Sequence, residues 1–220
     1  MSNDTRAQAP ARRAEVLREY GPFAGATKVA GVSYDGRHVW AATGEQLLAI
    51  DPQSGEVART LPRPCDAGTA FDGKHLWQIA AARIDKIDPV TGDVLASIPA
   101  PAAGGDSGLA WAEGSLWVGD YRGRQIHQID PATGAIQRTI ASNRFVTGVT
   151  WVDGELWHGT WEGDESELRH IEPGSGEVLQ RLRMPKDVFV SGLESDGAGL
   201  LYCGGGGSGK VRAVRRTARS

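Results

Sequence analysis

The side chains best suited to acid–base chemistry stand outside the regular patterning of the sequence. His158 directly follows a tryptophan, and either Asp120 or Glu162 could pair with it as an acid–base couple. Asp106 is the second candidate catalytic residue, because it lies in a short segment expected to point inward. An imidazole working with a carboxylate is typical of hydrolases and lyases.

Two of the aspartates could instead hold a metal ion. Asp66 and Asp106 occupy equivalent positions in a repeat described below, and with Asp187 they could bind a divalent cation through carboxylate oxygens. The competing interpretation is that both aspartates cap strand ends and bind water. We favour the second interpretation, so we expect no cofactor and keep a divalent cation as the alternative.

Other reactive-looking features have simpler interpretations. Cys65 and Cys203 have no evident base beside them, which favours buried small side chains over nucleophiles. The segment GGGGSGK (204–210) imitates a phosphate-binding loop. However, Val211 stands where such loops need Ser or Thr, and a strand follows instead of a helix, so we interpret the segment as a strand connection.

These side chains must be positioned by a scaffold, and the sequence predicts a repetitive one. A glycine recurs with a tryptophan nine residues later in four segments: GVSYDGRHVW from Gly31, GTAFDGKHLW from Gly68, GLAWAEGSLW from Gly108 and GVTWVDGELW from Gly148. A fifth copy, GLESDGAGLLY, starts at Gly192. Each of the first four continues to an Ile-acid-Pro-x-x-Gly turn. Because the unit recurs every 37 to 44 residues, it has the length of a propeller blade.

Each unit is expected to form four short antiparallel strands. Asp-Gly or Glu-Gly suits a tight hairpin after the first strand, and the Asp-Pro-x-x-Gly turn separates the last two strands. The fifth unit lacks a fourth strand, and residues 14–20 (AEVLREY) resemble the missing one. The predicted fold class is therefore all-β, a five-bladed β-propeller of four-stranded antiparallel blades whose last blade is closed by the N-terminal strand.

We expect one domain spanning residues 14–216, with tails at 1–13 (disordered) and 217–220. The approximate blade limits are 26–64, 65–102, 103–142, 143–186, and 187–216 together with 14–20. The net charge of −3 gives no reason to expect nucleic acid as a partner, and the basic residues near both ends are interpreted as solvated faces or tails. These are Arg6, Arg12, Arg13, Arg212, Arg215, Arg216 and Arg219. No segment is apolar enough for a signal peptide or a membrane span, so we expect a cytoplasmic protein without a membrane partner.

The repeat also separates scaffold residues from candidate site residues. Six of the seven tryptophans fall at two repeat positions and are predicted to pack between blades, which leaves Trp161 as the exception. Loops of variable length all lie at one end of the predicted ring, and they are longest in blades three and four, so we place the site there. The ligand-binding residues predicted from these loops are Trp161, Arg144, Phe145, Tyr121, Asp120, Lys28 and Phe189.

The phrases YDGRHVWAATGEQLLAIDPQSGEV and VDGELWHGTW resemble the glutamine cyclotransferase family, five-bladed propellers that cyclise N-terminal glutamine to pyroglutamate. The resemblance implies that Trp161 lies in the ligand pocket and adds Gln78, after Trp77, as a ligand-binding residue. It also implies a glutamate as acid–base residue where this chain has Ala41. The family's glutamine before the first repeat glycine is Ala30 here, and its Asn-Glu pair in blade four is replaced around residues 146–149.

Three functions follow from these observations. The leading hypothesis is a cyclotransferase-like propeller that binds a small molecule or a peptide terminus in an axial pocket, with cyclase chemistry impaired by Ala41. The repeat also resembles propellers of the lactonase and streptogramin-lyase type, in which an axial metal is common. The second hypothesis is accordingly a metal-assisted lyase or hydrolase using His158, Asp66 and Asp106. The third is an interaction propeller that binds a protein partner without catalysis.

Overall fold

The computed structural model describes residues 9–217, which form strands and their connections. Two strands come first, β1 (Ala11–Arg13) and β2 (Val16–Tyr20). The next eight are β3 (Gly31–Tyr34), β4 (Val39–Ala42), β5 (Gly44–Ile50), β6 (Val57–Cys65), β7 (Thr69–Phe71), β8 (Leu76–Ala80), β9 (Arg83–Ile87) and β10 (Val94–Pro99). The last eleven are β11 (Asp106–Ala112), β12 (Ser115–Asp120), β13 (Gln125–Ile129), β14 (Ile136–Ala141), β15 (Val146–Val152), β16 (Glu155–Glu162), β17 (Glu165–Ile171), β18 (Val178–Arg183), β19 (Gly192–Ser195), β20 (Leu200–Gly204) and β21 (Val211–Arg215).

The strands form five antiparallel blades in chain order. Blades one to four are β3 to β6, β7 to β10, β11 to β14 and β15 to β18, and in each of them consecutive strands are neighbours. Blade five has the order β19, β20, β21 and β2. The fold class predicted from the repeat is confirmed, including closure of the last blade by an N-terminal strand. No helix that could cross a lipid bilayer occurs within residues 9–217.

The repeat glycines form a ring around the propeller axis, where the inner strands of neighbouring blades meet backbone to backbone. A Cβ atom added to any one of them would lie between 2.3 and 2.7 Å from a backbone atom of the next blade, which is far inside van der Waals contact. The five members contact each other in the order Gly31, Gly68, Gly108, Gly148 and Gly192, and Gly192 meets Gly31. Glycine is therefore required at these positions by close approach.

The hydrophobic core is divided among the gaps between blades. Within the described chain, five clusters of buried side chains form, one in each gap between neighbouring blades. Trp77 of blade two stacks on Trp111 of blade three at 6.0 Å, and Trp117 stacks on Trp151 of blade four at 5.1 Å. Since the repeat-position tryptophans lie in these gaps, their predicted packing role is confirmed.

Acidic side chains organise the turns in the way that the sequence predicts. Asp51 Oδ1 accepts hydrogen bonds from the backbone N–H groups of Gln53 and Ser54, and the later turns repeat this arrangement with Asp88, Asp130 and Glu172. In the first hairpin, Asp35 also accepts a 2.8 Å hydrogen bond from the indole Nε1 of Trp40. The hairpin carboxylate thus satisfies the polar atom of a core tryptophan, and Asp72 does the same for Trp77.

Both chain ends contribute more structure than the sequence predicts. Residues 11–13, assigned to the disordered tail, instead form β1, which pairs in parallel with β18 as a fifth strand on blade four. The reason is that the edge of β18 offers unpaired backbone groups, which bind a strand without requiring an apolar pattern. The remaining parts of the expected tails, 1–8 and 218–220, lie outside the described residues.

The interpretation of the basic residues as solvated is wrong for Arg212. Its side chain is buried in blade five, and its Nε donates a 2.6 Å hydrogen bond to Glu19 of β2. This pair contributes to the joint between β2 and the rest of the blade.

The cysteines and the glycine-rich segment match their simpler interpretations. Cys65 and Cys203 are free and buried, and burial raises the pKa of the Cys203 thiol to about 12. A thiol with so high a pKa is a poor nucleophile at neutral pH. Gly204 ends β20, and residues 205–210 connect it to β21 rather than opening a helix.

We expect Gly108→Ala to remove more than about 3 kcal/mol from the free energy of unfolding, because the new methyl group would collide with the backbone of Gly148 and Val149. Gly207→Ala is the matched control, since a Cβ there meets no atom within 4 Å, and it should change stability by less than about 0.5 kcal/mol. Urea unfolding followed by tryptophan fluorescence measures both. Equal stability of the two variants would show that the ring is not a packing constraint.

Candidate functional site

A cavity of about 280 Å³ opens on the axis at the end of the ring where the inner strands begin. All five blades contribute to it, mainly through the residues that precede the ring glycines. Its lining consists of Ala30, Asp66, Ala67, Gly104, Gly105, Asp106, Ser107, Tyr121, Arg122, Thr147, Trp161, Val190 and Ser191. The cavity therefore lies at the loop end, opposite the Asp-Gly hairpins.

Aromatic pairs hold two walls of the cavity. Trp161 is 37% exposed and packs against Phe189 with 4.9 Å between ring centroids, while its Nε1 donates a 2.9 Å hydrogen bond to the carbonyl of Gly163. Tyr121 stacks on Phe145 at 4.7 Å. In each pair the phenylalanine precedes the next ring glycine by three residues and supports an aromatic ring that lines the cavity. Phe145 and Phe189 are therefore supporting residues and are not part of the lining.

The two aspartates predicted to point inward both line the cavity. Asp106 is buried, and its carboxylate accepts hydrogen bonds from the backbone N–H groups of Ala102 at 3.0 Å and Gly104 at 3.2 Å. Asp66 is exposed and accepts a 3.1 Å hydrogen bond from the N–H of Ala81. Both carboxylates thus organise loops and also give the cavity negative charge.

Among residues 9–217, no group of three or more His, Cys, Asp or Glu side chains is arranged to hold a metal ion. Asp187, which the sequence analysis considered as a third cation ligand, is therefore not part of such a group. Binding of a divalent cation by Asp66 and Asp106 stays a prediction, and the arrangement of the side chains around them does not support it.

Thr147 is a cavity residue that the sequence analysis did not select. It is 4% exposed, and its Oγ1 has no hydrogen-bond partner within the described chain. Ser107, at the same repeat position, donates to the carbonyls of Gly119 at 3.0 Å and Val146 at 2.7 Å. The hydroxyl of Thr147 is therefore a buried polar group without a partner among the described residues, in contrast to that of Ser107.

His158 lies away from the cavity in the interior of blade four. It is 1% exposed, is flanked in the sheet by Val149 and Arg169, and has its Nδ1 3.2 Å from the carbonyl oxygen of Gly159. Burial, together with the nearby Arg169 cation, lowers the pKa of His158 to about 4. The imidazole is thus uncharged at neutral pH and does not share the cavity with Asp106.

The carboxylates proposed as partners of His158 contact other groups. Asp120 lies 4.0 Å from Nε2 of His127 and accepts a 2.8 Å hydrogen bond from the N–H of Gly123. Glu162 lies 3.3 Å from Arg124 and 3.6 Å from Arg144. The acid–base couple remains a prediction without geometric support.

The remaining predicted ligand-binding residues lie around the cavity rather than in its lining. Arg144 is half-buried and faces Glu162, and Lys28 is exposed beside Gly44. Gln78 is fully buried, and its Nε2 donates to the carbonyls of Ala67, Gly68 and Ile79 at 3.1, 3.2 and 2.7 Å. Gln78 therefore fixes the segment before a ring glycine, so it positions the lining residue Ala67.

A carboxylate on the other side of the glycine ring was also missed. Glu194 accepts hydrogen bonds from Ser33 of blade one at 3.3 Å, from Thr150 of blade four, and from the N–H of Ser195 at 2.9 Å. Burial raises the pKa of Glu194 to about 7, and the hydrogen bonds only partly oppose this. The repeat contains the signal, because the residues two places after each ring glycine are Ser33, Ala70, Ala110, Thr150 and Glu194.

Comparison with known proteins finds a sequence match to one family over part of the chain and structural matches to other propellers. The sequence profile of the glutamine cyclotransferase family matches residues 140–203, which run from the end of blade three into blade five. No curated protein matches the sequence. The glutaminyl cyclase of Myxococcus xanthus has a similar structure, with a TM-score of 0.77, 16% identity, and coverage of 94% of this chain and 98% of that one.

Other propellers are less similar in structure. The WD40 propeller domain of Doa1 has a TM-score of 0.54 at 15% identity, covering 86% of this chain and 64% of that one. The propeller domain of Cps50 (Swd1) from Myceliophteria thermophila has a TM-score of 0.52 at 17% identity, covering 86% and 83%. At these identities the structural likeness establishes the fold alone. The sequence resemblance to the cyclotransferase family is confined to residues 140–203.

We expect the unfolding free energy to fall as the pH rises from about 4.5 to about 7, because the folded protein keeps the Glu194 proton that the unfolded chain releases. Below this range the carboxyl is protonated in both states, so its favourable contribution is fully present there. Glu194→Gln should abolish this part of the pH dependence and make the protein about 1 to 3 kcal/mol more stable than wild type at pH 8.

Urea unfolding at pH 4.5, 6 and 8 tests this expectation. Glu113→Gln, in an exposed hairpin, is the control and should keep the wild-type pH profile. A wild-type profile for Glu194→Gln would mean that the proton is not held at this carboxyl.

Proposed function

We propose that this cyclotransferase-like propeller binds a small molecule or a peptide terminus in the axial cavity and lacks efficient cyclase activity. The observation that carries the proposal is the combination of two aromatic rings, Trp161 and Tyr121, with the carboxylates of Asp66 and Asp106 in the lining of one cavity. Aromatic walls with a few placed polar groups are typical of small-ligand sites.

The size of the cavity limits what it can hold. A volume of about 280 Å³ is at the lower end for ligand pockets, so it suits a single residue or a compact metabolite rather than a long peptide. The cavity lies at the loop end of the axis, where its lining includes the residues just before the ring glycines. A ligand would therefore enter from the loop end, with the terminal residue inside and any remaining chain in solvent.

The charges in the lining favour a ligand that carries an amine. Asp66 and Asp106 provide carboxylate oxygens for an ammonium group, and the aromatic ring of Trp161 favours a cation or an aliphatic stem. Arg122 offers donors for a carbonyl or an amide. The N-terminus of a peptide combines these groups, which makes it the ligand class that fits best.

Residue 41 argues against efficient cyclisation. The family resemblance implies an acid–base glutamate there, whereas Ala41 is fully buried between blades five and one. Loss of a general acid–base group costs roughly a hundredfold to ten-thousandfold in rate. The Myxococcus xanthus protein of similar structure is a glutaminyl cyclase. For this chain we infer binding of a related ligand, without the cyclase activity.

The two alternative functions have less support. A metal-assisted lyase or hydrolase needs His158 near the aspartates, and His158 is buried outside the cavity. An interaction propeller needs an apolar surface at the loop end. Among the described residues the exposed large apolar side chains other than Trp161 lie in the outer strands or the adjoining turn, and they are Leu17, Val57, Val90, Val94, Leu95, Ile136 and Leu179. We therefore favour ligand binding over both.

Binding of glutaminyl-alanine amide should be at least about tenfold weaker in Trp161→Ala and in Asp106→Asn than in wild type, because these changes remove an aromatic wall and a carboxylate charge. N-acetylation of the peptide should cause a similar loss, since it removes the ammonium group. Isothermal titration calorimetry measures each affinity.

Asp164→Asn is the matched control for charge, because Asp164 is exposed in the hairpin after β16 and does not line the cavity. It should bind within about twofold of wild type. Equal binding of the free and acetylated peptides, or no effect of Trp161→Ala, would contradict the proposed site.

We further expect ammonia release from glutaminyl-alanine amide to be at least about a hundredfold slower than with a glutaminyl cyclase assayed in parallel, because Ala41 supplies no proton-transfer group. A coupled assay for free ammonia gives the rate. Turnover at ordinary enzymatic rates would refute the loss of cyclase activity while leaving the binding site in place.

A further inference from the structure

A second and larger cavity lies on the outer side of blade four, away from the axis. Its volume is about 480 Å³, and its lining consists of Ala11, Arg12, Arg13, Arg183, Met184, Pro185 and Lys186. We refer to this cavity as the basic cleft. It lies between β1 and the connection that follows β18, and it shares no lining residue with the axial cavity.

The basic cleft contains four cationic side chains and no carboxylate in its lining. Within the described part of the chain, the side chains of Arg12, Arg13, Arg183 and Lys186 have neither an ion pair nor a hydrogen bond. Other arginines are treated differently: Arg215 pairs with Glu15 at 2.7 Å, and Arg216 pairs with Asp153 at 2.5 Å. The positive charges that line the basic cleft are thus not neutralised by a carboxylate of the described residues.

The register between β1 and β18 brings two of these cationic residues next to each other, and their repulsion is unfavourable unless an anion binds. β1 pairs with β18 so that Arg13 is directly opposite Arg183, and the N–H of Ala14 donates a 2.8 Å hydrogen bond to the Arg183 carbonyl. Two side chains that face each other across neighbouring strands lie on the same face of the sheet, and like charges at such positions repel. The backbone pairing therefore places the side chains of Arg13 and Arg183 next to each other on one face of the sheet.

The nearest carboxylate in the ladder cannot neutralise this pair. Glu167 is opposite Arg183 on the other side, but it is fully buried and already bound by two other arginines. Arg169 Nε donates to it at 2.9 Å, and Arg181 donates from Nε at 3.0 Å and from Nη2 at 2.5 Å. Since both carboxylate oxygens of Glu167 already accept hydrogen bonds from Arg169 and Arg181, Glu167 does not neutralise the charges of Arg13 and Arg183.

We propose that the basic cleft is a binding site for a small oligophosphate, either free or as the phosphate chain of a nucleotide. Paired guanidinium groups suit phosphate because each presents a planar fork of N–H donors to two oxygens. Lys186 adds positive charge for a further phosphate group, and Arg12, which also belongs to the lining, is opposite Leu182 and therefore on the other face of the sheet. Met184 and Pro185 supply an apolar wall, and the volume admits a molecule of nucleotide size.

Calorimetric titration of the full chain with sodium tripolyphosphate and, separately, with adenosine triphosphate tests the proposal. We expect saturable binding of at least one probe, and at least about tenfold weaker binding in the double variant Arg13→Gln, Arg183→Gln. Tighter binding of the triphosphate nucleotide would assign the site to nucleotides, and equal or weaker binding would assign it to free oligophosphate.

The double variant Arg37→Gln, Lys74→Gln is the matched control. It also removes two positive charges, from exposed hairpins of blades one and two, and should bind the probes within about twofold of wild type. Trp161→Ala should likewise bind them as wild type does, which separates this site from the axial cavity. Equal losses in both double variants would mean attraction by net charge alone and would overturn the proposal.

Folding of the cleft variant is checked independently. Because Arg13→Gln, Arg183→Gln removes a repulsive pair without breaking a hydrogen bond of either side chain, its melting temperature without ligand should equal or exceed that of wild type. The absence of saturable binding by wild type, or tighter binding of a single-stranded oligonucleotide than of either probe, would also overturn the proposal.

Discussion

Backbone contact between five glycines at the axis is the constraint on which the rest of the molecule depends. Because these positions carry no side chain, the inner strands can approach until their backbones touch, and the angle between blades is set there. The larger side chains are then placed farther out, where the gaps between blades widen. The five core clusters and the stacked tryptophans fill that space.

The same constraint separates the two sides of the axis. Residues just before the glycines face the loop end, and they supply much of the lining of the axial cavity. Residues just after the glycines lie on the other side, where Glu194 connects blade five with blades one and four through hydrogen bonds. A ligand in the cavity and a proton on Glu194 would therefore act on the same ring from opposite sides.

The fold could be predicted from the sequence because its determinants are local and repeated. The ring glycines, the turn aspartates and the tryptophans recur at fixed spacing, and each has one physical purpose. Missing turn residues in the fifth unit likewise indicated that a strand had to come from elsewhere. By contrast, β1 could not be predicted, because an arginine-rich edge strand is held by backbone hydrogen bonds that leave no pattern in the side chains.

The site was predicted less well because a loop position does not fix the direction of a side chain. Asp66, Asp106, Tyr121 and Trp161 line the cavity, whereas His158 does not. The repeat position of His158 could have predicted that its side chain is buried. Its equivalents are Ala41, Gln78, Val118 and Cys203, and all five residues are buried, so a polar residue there is inside a blade interface. The unpaired charges of the basic cleft depend on the register of β1 and had no counterpart in the sequence pattern.

The strand that completes blade five also affects how the molecule can assemble. The ion pair between Glu15 and Arg215 joins residues 200 positions apart, whereas the four strands of each of the other blades follow one another along the chain. Local blades can form while the chain is still being synthesised, but the circle is completed only after the last blade has emerged from the ribosome. Until then, β2 lacks its partner strand β21 and is open to pairing with other chains, so the period before closure is when this protein is most exposed to misassembly.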